Sequence, residues 1–177
     1  MKSPLFTFPS YRYEINDWQF KKKGLLKRLK EEKFIRTELQ TFETDRQTNN
    51  KSYVHYFQEL IEEELNQFCQ EAKVRCSMTD CWAVRYKKDD YQITHNHKSW
   101  GFSGILYVEY DEKVHTPTCF IAPWQDPRTD RTSLAFPSNV REGTLFIAPS
   151  SCLHFVNPVK SNKPRVIVSF DLLPVIT

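Results

Sequence analysis

From about Ser77 to the C-terminus, the sequence is a succession of short segments that alternate apolar and polar residues. This period is typical of β-strands, and Gly143 and several prolines separate the segments. The candidate strands are Cys81–Tyr86, Tyr91–Thr94, Phe102–Tyr110, Thr118–Ala122, Leu134–Phe136, Thr144–Ala148, Leu153–Val156 and Arg165–Leu172. Because no helical segment lies between them, they favour an antiparallel sandwich or barrel with an open mouth between two sheets.

The N-terminal part predicts two helices. Asp17 is a candidate cap for a helix to about Glu32, and Ser52 for a second helix to about Lys73. The first is rich in lysine and the second carries a run of glutamates, so the two are expected to lie near each other. The polar segment Thr41–Asn50 between them is interpreted as a loop.

The length of 177 residues and the 40% hydrophobic content suit one domain with a sizeable core. No linker separates the two parts, so we expect a single α+β domain over 1–177. Residues 1–75 form its mainly helical part, and residues 77–174 form a jelly-roll core buttressed by the helices. With only 4 glycines, each is expected to mark a turn. The net charge of +3 does not argue for nucleic acid, although the basic first helix could be a nucleic-acid patch or a solvated face.

The cysteine pattern favours reduced thiols. Five cysteines form no C-x-x-C pair, which weakens a disulfide framework and a zinc ribbon. Met1–Leu5 leads into no apolar run of a signal peptide, and no stretch approaches the roughly 18 apolar residues of a membrane span. We therefore expect a soluble cytoplasmic protein with no membrane partner.

Three histidines could converge on a metal. His95 and His97 are two positions apart in "THNHKSWGFSGILYVEY", a spacing that puts both on one face of a strand. His154 opens a later candidate strand, where a lone histidine is usually a satisfied core residue. Three neutral imidazoles suit iron, zinc, copper or nickel. His115 lies in the polar segment "DEKVHTPT" and is expected at the surface.

The last candidate strand contains an arginine that alternation turns inward. One face carries Arg165, Ile167, Ser169 and Asp171, and the other carries Val166, Val168 and Phe170. The apolar face should pack against the helices, so Arg165 should face the mouth. A buried arginine needs a partner. That partner is either the carboxylate of a bound ligand or a structural ion pair with Asp171, Glu109 or Asp111.

Three ordered blocks resemble the Fe(II)- and 2-oxoglutarate-dependent oxygenases. They are "WAVRYKKDDYQITHNHKSWGFSGILYVEY", "FPSNVREGTLFIAPSSCLHFVNPV" and "RVIVSF". The likeness is to short single-domain members from phages of cyanobacteria and from marine bacteria, with motifs similar to prolyl hydroxylases. It implies a double-stranded β-helix (jelly-roll, cupin-like) core. It also implies a dioxygenase that uses Fe(II), 2-oxoglutarate and O₂, with ascorbate as a candidate reductant.

The resemblance assigns roles to individual positions. It makes His95, His97 and His154 the iron ligands, with His97 where the family more commonly has an acid. It assigns cosubstrate binding to Arg165, Tyr107, Tyr86 and Ser169. Arg165 would pair with the distal carboxylate of 2-oxoglutarate. Ile167 stands where many relatives have serine.

The expected reaction is hydroxylation of an unidentified substrate. A protein or peptide side chain such as proline is the leading class, and a free amino acid or a nucleotide stays open. The segment Ala122–Ser133, with Trp124, Arg128 and Arg131, is either a mobile loop over the mouth or an ordinary polar connection. If the chain is phage-encoded, its location is the host cytoplasm.

Two other functions compete with this one. The first is a cupin-like three-histidine metalloenzyme that does not use 2-oxoglutarate. The second is a non-catalytic jelly-roll module with a structural or binding role, which would explain the strands but not the ordered histidines.

Overall fold

The computed structural model of the chain describes residues 9–38, 41–43 and 51–175. The helices are Trp18–Leu29 (α1), Ser52–Leu60 (α2) and Glu62–Ala72 (α3). The strands are Tyr11–Glu14 (β1), Ile35–Arg36 (β2), Phe42–Glu43 (β3), Cys76–Tyr86 (β4), Gln92–His95 (β5), Phe102–Glu109 (β6), Cys119–Asp126 (β7), Arg131–Ala135 (β8), Thr144–Pro149 (β9), His154–Val156 (β10) and Arg165–Pro174 (β11).

The strands form two antiparallel sheets. The larger has the order β1-β9-β6-β11-β4-β3-β2, and the smaller has the order β5-β10-β7-β8. Strands β4 to β11 contribute four strands to each sheet, and the chain crosses between the sheets at every step except the β7–β8 hairpin. This arrangement is the jelly roll that the sequence predicts, and all eight candidate strands are present.

The larger sheet separates two hydrophobic cores. On its outer face, Val166, Val168 and Phe170 pack with side chains of the helices. On its inner face, Ile167 packs between the sheets with Trp82. The alternation predicted for β11 is therefore confirmed. Each large apolar side chain that is fully buried in such a core stabilises the fold by about 1.5–3 kcal/mol.

Two of the four glycines lie inside regular elements, so the expectation that each marks a turn is wrong. Gly24 lies in α1 and Gly104 in β6. A Cβ atom at Gly104 would lie 2.0 Å from the ring of Phe170. The close approach of β6 to that ring therefore requires a residue without a side chain at position 104. Gly101 and Gly143 do lie in turns, with φ of 88° and 83°, which glycine adopts readily.

The helices differ from the prediction at their ends. Asp17 has a left-handed φ of 53° and its side chain makes no capping hydrogen bond. The single helix expected from Ser52 to Lys73 is broken at Ile61, where φ is −104° and ψ is 6°. The second half then starts with three glutamates, which the positive N-terminal end of a helix favours. Helices α1 and α2 lie together as expected: the Tyr56 hydroxyl donates to the backbone carbonyl of Lys21 at 3.1 Å. Beside the helix ends, Lys51 contacts Glu32 at 2.5 Å.

Three short strands fall in the part predicted to be helical or loop. β2 and β3 have two residues each and extend the larger sheet beside β4, while β1 pairs with β9 at the other edge. Elements this short have no periodic signal. Of the predicted loop Thr41–Asn50, residues 44–50 lie outside the described residues.

All five cysteines are free. Burial raises the pKa of the Cys76 thiol to about 11 and raises the pKa of the Cys81 thiol further. These two thiols are protonated at neutral pH, so they do not offer the thiolate that a metal ligand requires.

Candidate metal centre

Antiparallel pairing and a bend bring three imidazoles together between the sheets. His95 ends β5 and lies directly opposite His154, the first residue of β10. His97 follows in the bend beyond β5, where its backbone N–H donates to the carbonyl of Ser150 at 3.1 Å. The spacing argument assumed that His97 belongs to the same strand as His95, but His97 lies beyond the end of β5. The side-chain ligand atoms of the three residues nevertheless lie within 4.8 Å of one another and could hold a metal ion.

Each imidazole has an oxygen acceptor at its Nδ1 atom. Nδ1 of His95 donates to the carbonyl of Ile93 at 2.8 Å, and Nδ1 of His154 donates to the carbonyl of Cys152 at 2.9 Å. Nδ1 of His97 donates to Oδ1 of Asp171 at 2.7 Å. An oxygen acceptor requires the hydrogen on Nδ1, which leaves the Nε2 lone pair for a metal.

Burial keeps His154 uncharged. Burial, and then the neighbouring His95, lower the pKa of His154 to about 3. A neutral imidazole is the form that binds a metal. The donor set therefore suits a divalent transition metal such as iron.

Asp171 is the acidic neighbour of the centre. Burial by itself would raise the pKa of its carboxyl group, but hydrogen bonds from His97 and Ser103 and the nearby Lys98 ammonium outweigh this and lower the pKa. The pairing with His97 was not predicted, although alternation did place Asp171 on the face of β11 that points between the sheets.

The space beside the histidines is narrow, with a volume of about 20 Å³. Among the predicted site residues, Ser169 joins the three histidines in its lining, whereas Arg165, Tyr86 and Tyr107 do not line it and are buried. The other lining side chains include Trp82, Gln92, Ser103, Thr118, Phe120 and Ile167. This volume holds about one water molecule. A dicarboxylate would therefore have to move lining side chains in order to enter.

Arg165 lies at the inner end of this face and is fully buried. Its guanidinium carbon lies 4.2 Å from the centroid of the Tyr86 ring, but none of its three guanidinium nitrogens has a hydrogen-bond partner among the described residues. The structural ion pair considered above is not formed within the described chain. Asp171 is bonded to His97, Asp111 pairs with Lys163, and Glu109 makes no ion pair with Arg165.

The tyrosines and Thr118 surround the inner end. The Tyr86 hydroxyl donates to Oε1 of Gln92 at 3.0 Å, and burial raises the pKa of Tyr86 to about 12 despite the nearby Arg165. The Tyr107 hydroxyl accepts the backbone N–H of Thr118 at 3.2 Å. The Thr118 hydroxyl is itself buried without a hydrogen-bond partner within the described chain. Nothing in the sequence singles out Thr118, which lies outside the three blocks, or Gln92, which lies in the first block at a position without an assigned role.

His115 is buried, so the expectation that it lies at the surface is wrong. Its Nδ1 accepts the backbone N–H of Asp111 at 3.0 Å, and its ring packs on Tyr110. Burial, and then the charge of Arg165, lower the pKa of this imidazole. The polar residues around His115 do not reveal that the backbone of the same turn donates a hydrogen bond to its imidazole.

The segment Ala122–Ser133 is a hairpin and not a separate loop over the mouth. It is formed by the ends of β7 and β8, and Arg128 pairs with Asp126 in its turn. Trp124 is exposed, so the hairpin presents an aromatic side chain beside the mouth. Within the described chain, no helix is long and apolar enough to span a membrane.

Comparison with known proteins identifies the family. A family model for 2OG-Fe(II) oxygenases matches residues 80–171, which is more than half of the chain and includes the three histidines and Arg165. The sequence matches no curated protein.

Several solved structures share the fold. One is an oxidoreductase of the 2OG-Fe(II) oxygenase family from Burkholderia pseudomallei, with 12% identity, a TM-score of 0.69, and coverage of 92% of this chain and 83% of that chain. A viral collagen prolyl hydroxylase from Paramecium Bursaria Chlorella virus-1 has 14% identity, a TM-score of 0.63, and coverage of 94% and 96%. HygX from Streptomyces hygroscopicus, solved with nickel and 2-oxoglutarate, has 11% identity, a TM-score of 0.73, and coverage of 96% and 84%.

The jelly roll, the cluster of three histidines and the family match agree with one another. The chain belongs to the 2OG-Fe(II) oxygenases, non-heme iron enzymes that use 2-oxoglutarate and O₂.

Proposed function

We propose that His95, His97 and His154 hold Fe(II), that Arg165 anchors 2-oxoglutarate, and that the enzyme hydroxylates a protein or peptide side chain. The observation that carries the cosubstrate assignment is the fully buried Arg165 guanidinium, which has no hydrogen-bond partner within the described chain. An unpaired buried charge is costly, and a carboxylate that accepts a bidentate pair removes the cost.

The position of Arg165 suits a dicarboxylate. Arg165, Ile167 and Ser169 follow one another along the inner face of β11, from the deep end to the space beside the histidines. The Thr118 hydroxyl offers a second donor at the deep end. Tyr107, which contacts the Thr118 backbone, and Tyr86, which stacks on the guanidinium, complete the pocket for the distal carboxylate.

Bound Fe(II) supplies the oxidising chemistry, in which 2-oxoglutarate and O₂ yield succinate, CO₂ and the hydroxylated substrate. The contribution of the chain is positioning. Carbonyl and carboxylate acceptors fix the three imidazoles with Nε2 available to a metal, and burial keeps His154 neutral. Two aromatic rings pack against the centre: the Phe120 ring centroid lies 5.6 Å from that of His154, and the Trp82 ring centroid lies 5.2 Å from that of His97.

The mouth of the jelly roll supports a substrate that extends beyond the reacting group. Two open depressions of about 400 and 290 Å³ meet at Phe120 and Cys152, beside the histidines. Exposed apolar side chains border them, including Phe136 on one side and Trp124 on the other. An extended peptide could occupy both depressions while one side chain reaches the centre. The fold is shared with the viral collagen prolyl hydroxylase and with a Pseudomonas putida prolyl-4-hydroxylase, which makes proline the first residue to test.

An anaerobic titration tests the metal and cosubstrate assignments. Fe(II) and then 2-oxoglutarate are added to the apoprotein, and the visible charge-transfer band of the chelate is recorded. We expect the band to appear only when both are present. A protein that binds Fe(II) but gives no band would favour the cupin-like enzyme that does not use 2-oxoglutarate, and one that binds no metal would favour a non-catalytic module.

Turnover tests the substrate class. Succinate release is measured with proline-containing peptides, free proline and nucleotides, each at the same concentration. We expect stimulation by peptides well above that by free proline. Stimulation by small molecules alone would contradict the peptide assignment but leave the metal and cosubstrate assignments intact.

A further inference from the structure

The three histidines of the centre differ in their acceptors. His95 and His154 donate from Nδ1 to neutral backbone carbonyls, whereas His97 donates to the carboxylate of Asp171 at 2.7 Å. His97 also occupies the place where related motifs more commonly have an acidic ligand. An acidic group, the carboxylate of Asp171, is therefore present on this side of the centre, but it contacts the imidazole of His97 and not the metal position itself.

We propose that Asp171 is a positioning residue for the metal: it orients His97 and supplies, through the imidazole, the negative charge that an acidic ligand would supply directly. This inference rests on the proposed function, since it assumes that the three histidines bind Fe(II). It concerns a residue that contacts neither the metal nor 2-oxoglutarate in that assignment.

The Asp171 carboxylate is fixed in place. Its strand neighbours are Ser103 on β6 and Asp80 on β4. The Ser103 hydroxyl donates to Oδ1 at 2.7 Å and also contacts the Ser150 hydroxyl at 2.8 Å. The carboxylate oxygen that accepts from His97 thus has a second donor and cannot rotate away without losing both hydrogen bonds.

The charge of Asp171 is directed mainly at His97. Lys98 is the nearby cation, but its ammonium lies 3.7 Å from Oδ2 of Asp171 and only 2.8 Å from Oδ2 of Asp80. It also donates to the Thr79 hydroxyl at 3.0 Å. Lys98 therefore pairs more closely with Asp80 than with Asp171. At the shorter His97 contact, the Asp171 charge increases the electron density on the imidazole.

A histidine ligand with a carboxylate partner is a stronger donor to a metal than one with a carbonyl partner, and loss of such a partner typically weakens metal binding by about 10–100-fold. The proposed role therefore predicts an unequal set of ligands, with His97 the strongest donor of the three. It also gives a reason why an all-histidine set can serve chemistry that related motifs perform with an acid.

The test compares Asp171→Asn with Asp80→Asn. Asparagine keeps an oxygen that can accept from His97 but removes the charge, and Asp80 is the matched control because it contacts the same lysine and no histidine. Co(II) affinity is measured by its visible absorption, and the Fe(II)–2-oxoglutarate band is recorded anaerobically. We expect Asp171→Asn to weaken Co(II) binding about 10–100-fold and to shift the band to shorter wavelength, because a poorer donor lowers the energy of the metal electrons. Asp80→Asn should change neither property.

Unchanged Co(II) affinity and an unshifted band in a folded Asp171→Asn protein would overturn the inference. The proposed function fails in a different way, namely when the wild-type protein itself binds no metal or gives no band. The two failures are therefore separable.

A double-mutant cycle shows whether the effect passes through His97. In a His97→Asp background the ligand is itself acidic and lies beside Asp171, so the Asp171→Asn change should no longer weaken Co(II) binding and should strengthen it by relieving repulsion. An equal loss in both backgrounds would contradict the role. If Asp171→Asn does not fold, ¹⁵N shifts of the wild-type apoprotein still test it, because hydrogen on Nε2 of His97 would rule out the proposed bond.

Discussion

Arg165 and Tyr86 are paired across strands β11 and β4, and the guanidinium carbon of Arg165 lies over the tyrosine ring, 4.2 Å from its centroid. The ring stabilises the positive charge through its face, an interaction worth about 2 kcal/mol when it is desolvated. The three guanidinium nitrogens remain without hydrogen-bond partners within the described chain. The stacking thus holds the arginine in the buried site while its donor edge stays available to a carboxylate.

Replacing Arg165 should weaken cosubstrate binding strongly and spare the metal. Loss of a partly desolvated, bidentate ion pair is expected to cost about 2–5 kcal/mol, or roughly 30- to several-thousand-fold in 2-oxoglutarate affinity. Arg165→Ala should retain Fe(II) but lose the charge-transfer band at ordinary 2-oxoglutarate concentrations. Arg165→Lys should recover little, because an ammonium group cannot form the two parallel hydrogen bonds.

A purely structural role for Arg165 predicts a different outcome. If Arg165 served only the fold, its variants would have a lower melting temperature and an unchanged 2-oxoglutarate dissociation constant. That outcome would move the cosubstrate anchor elsewhere and favour the cupin-like alternative.

Thr118→Val tests the second donor at the inner end. Valine keeps the shape of threonine and removes the hydroxyl, which has no hydrogen-bond partner within the described chain. Without a ligand the variant should therefore be at least as stable as the wild type, because no hydrogen bond is lost. With the hydroxyl donating to the carboxylate, 2-oxoglutarate affinity should fall by about 0.5–1.5 kcal/mol, or roughly 2- to 12-fold. A dissociation constant equal to that of the wild type would exclude Thr118 from the pocket.

Each histidine of the centre should be needed for metal binding. His95→Ala, His97→Ala and His154→Ala each remove one ligand from the set, so iron content after anaerobic reconstitution should fall sharply while the circular dichroism spectrum is kept. His55→Ala is the matched control, because His55 is exposed on α2 and far along the chain from the centre. Full iron content in any one of the three variants would show that its histidine is not a ligand.

Much of the site could be predicted because ordered motifs carry it. Short alternating segments predicted the eight jelly-roll strands, and the alternation along β11 predicted which side chains face inward. The partners of those side chains could not be predicted. The contact between His97 and Asp171 joins residues 74 positions apart, and it depends on a bend after β5 that spacing does not describe.

The failures have a common physical origin in tertiary contacts. His115 was expected at the surface because its neighbours in sequence are polar. In the structure it is buried, and the backbone N–H of Asp111 donates to its ring. Gly104 was expected to mark a turn although the candidate strand Phe102–Tyr110 contains it, and the structure shows it within β6, where Phe170 occupies the space of a side chain. In each case the deciding contact comes from atoms that local composition does not identify.

The burial of His115 predicts a pH dependence of stability. Burial and the charge of Arg165 lower the pKa of His115 in the folded state, so in mildly acidic solution the unfolded chain binds a proton that the folded chain does not. The stability contributed by neutral His115 is therefore present above the unfolded pKa of about 6.5 and declines as the pH falls below it. Urea unfolding at about pH 7.5 and 5.5 should show a smaller stability difference between wild type and His115→Gln at the lower pH. A difference that is constant, or larger at the lower pH, would contradict this assignment.

Gly104→Ala should destabilise the fold by overpacking. The added Cβ would lie 2.0 Å from Cζ of Phe170, a ring that is fully buried against the helices, so strand or ring must shift. Overpacking of this kind costs about 1–3 kcal/mol, which for a chain of this size lowers the melting temperature by roughly 2–12 °C. Phe170→Leu in the same chain removes the ring atoms that collide, so the alanine should cost less in that background than in the wild type. Calorimetry of the two single variants and the double variant measures the coupling, and equal costs of the alanine in both backgrounds would show that Phe170 is not what excludes a side chain at position 104.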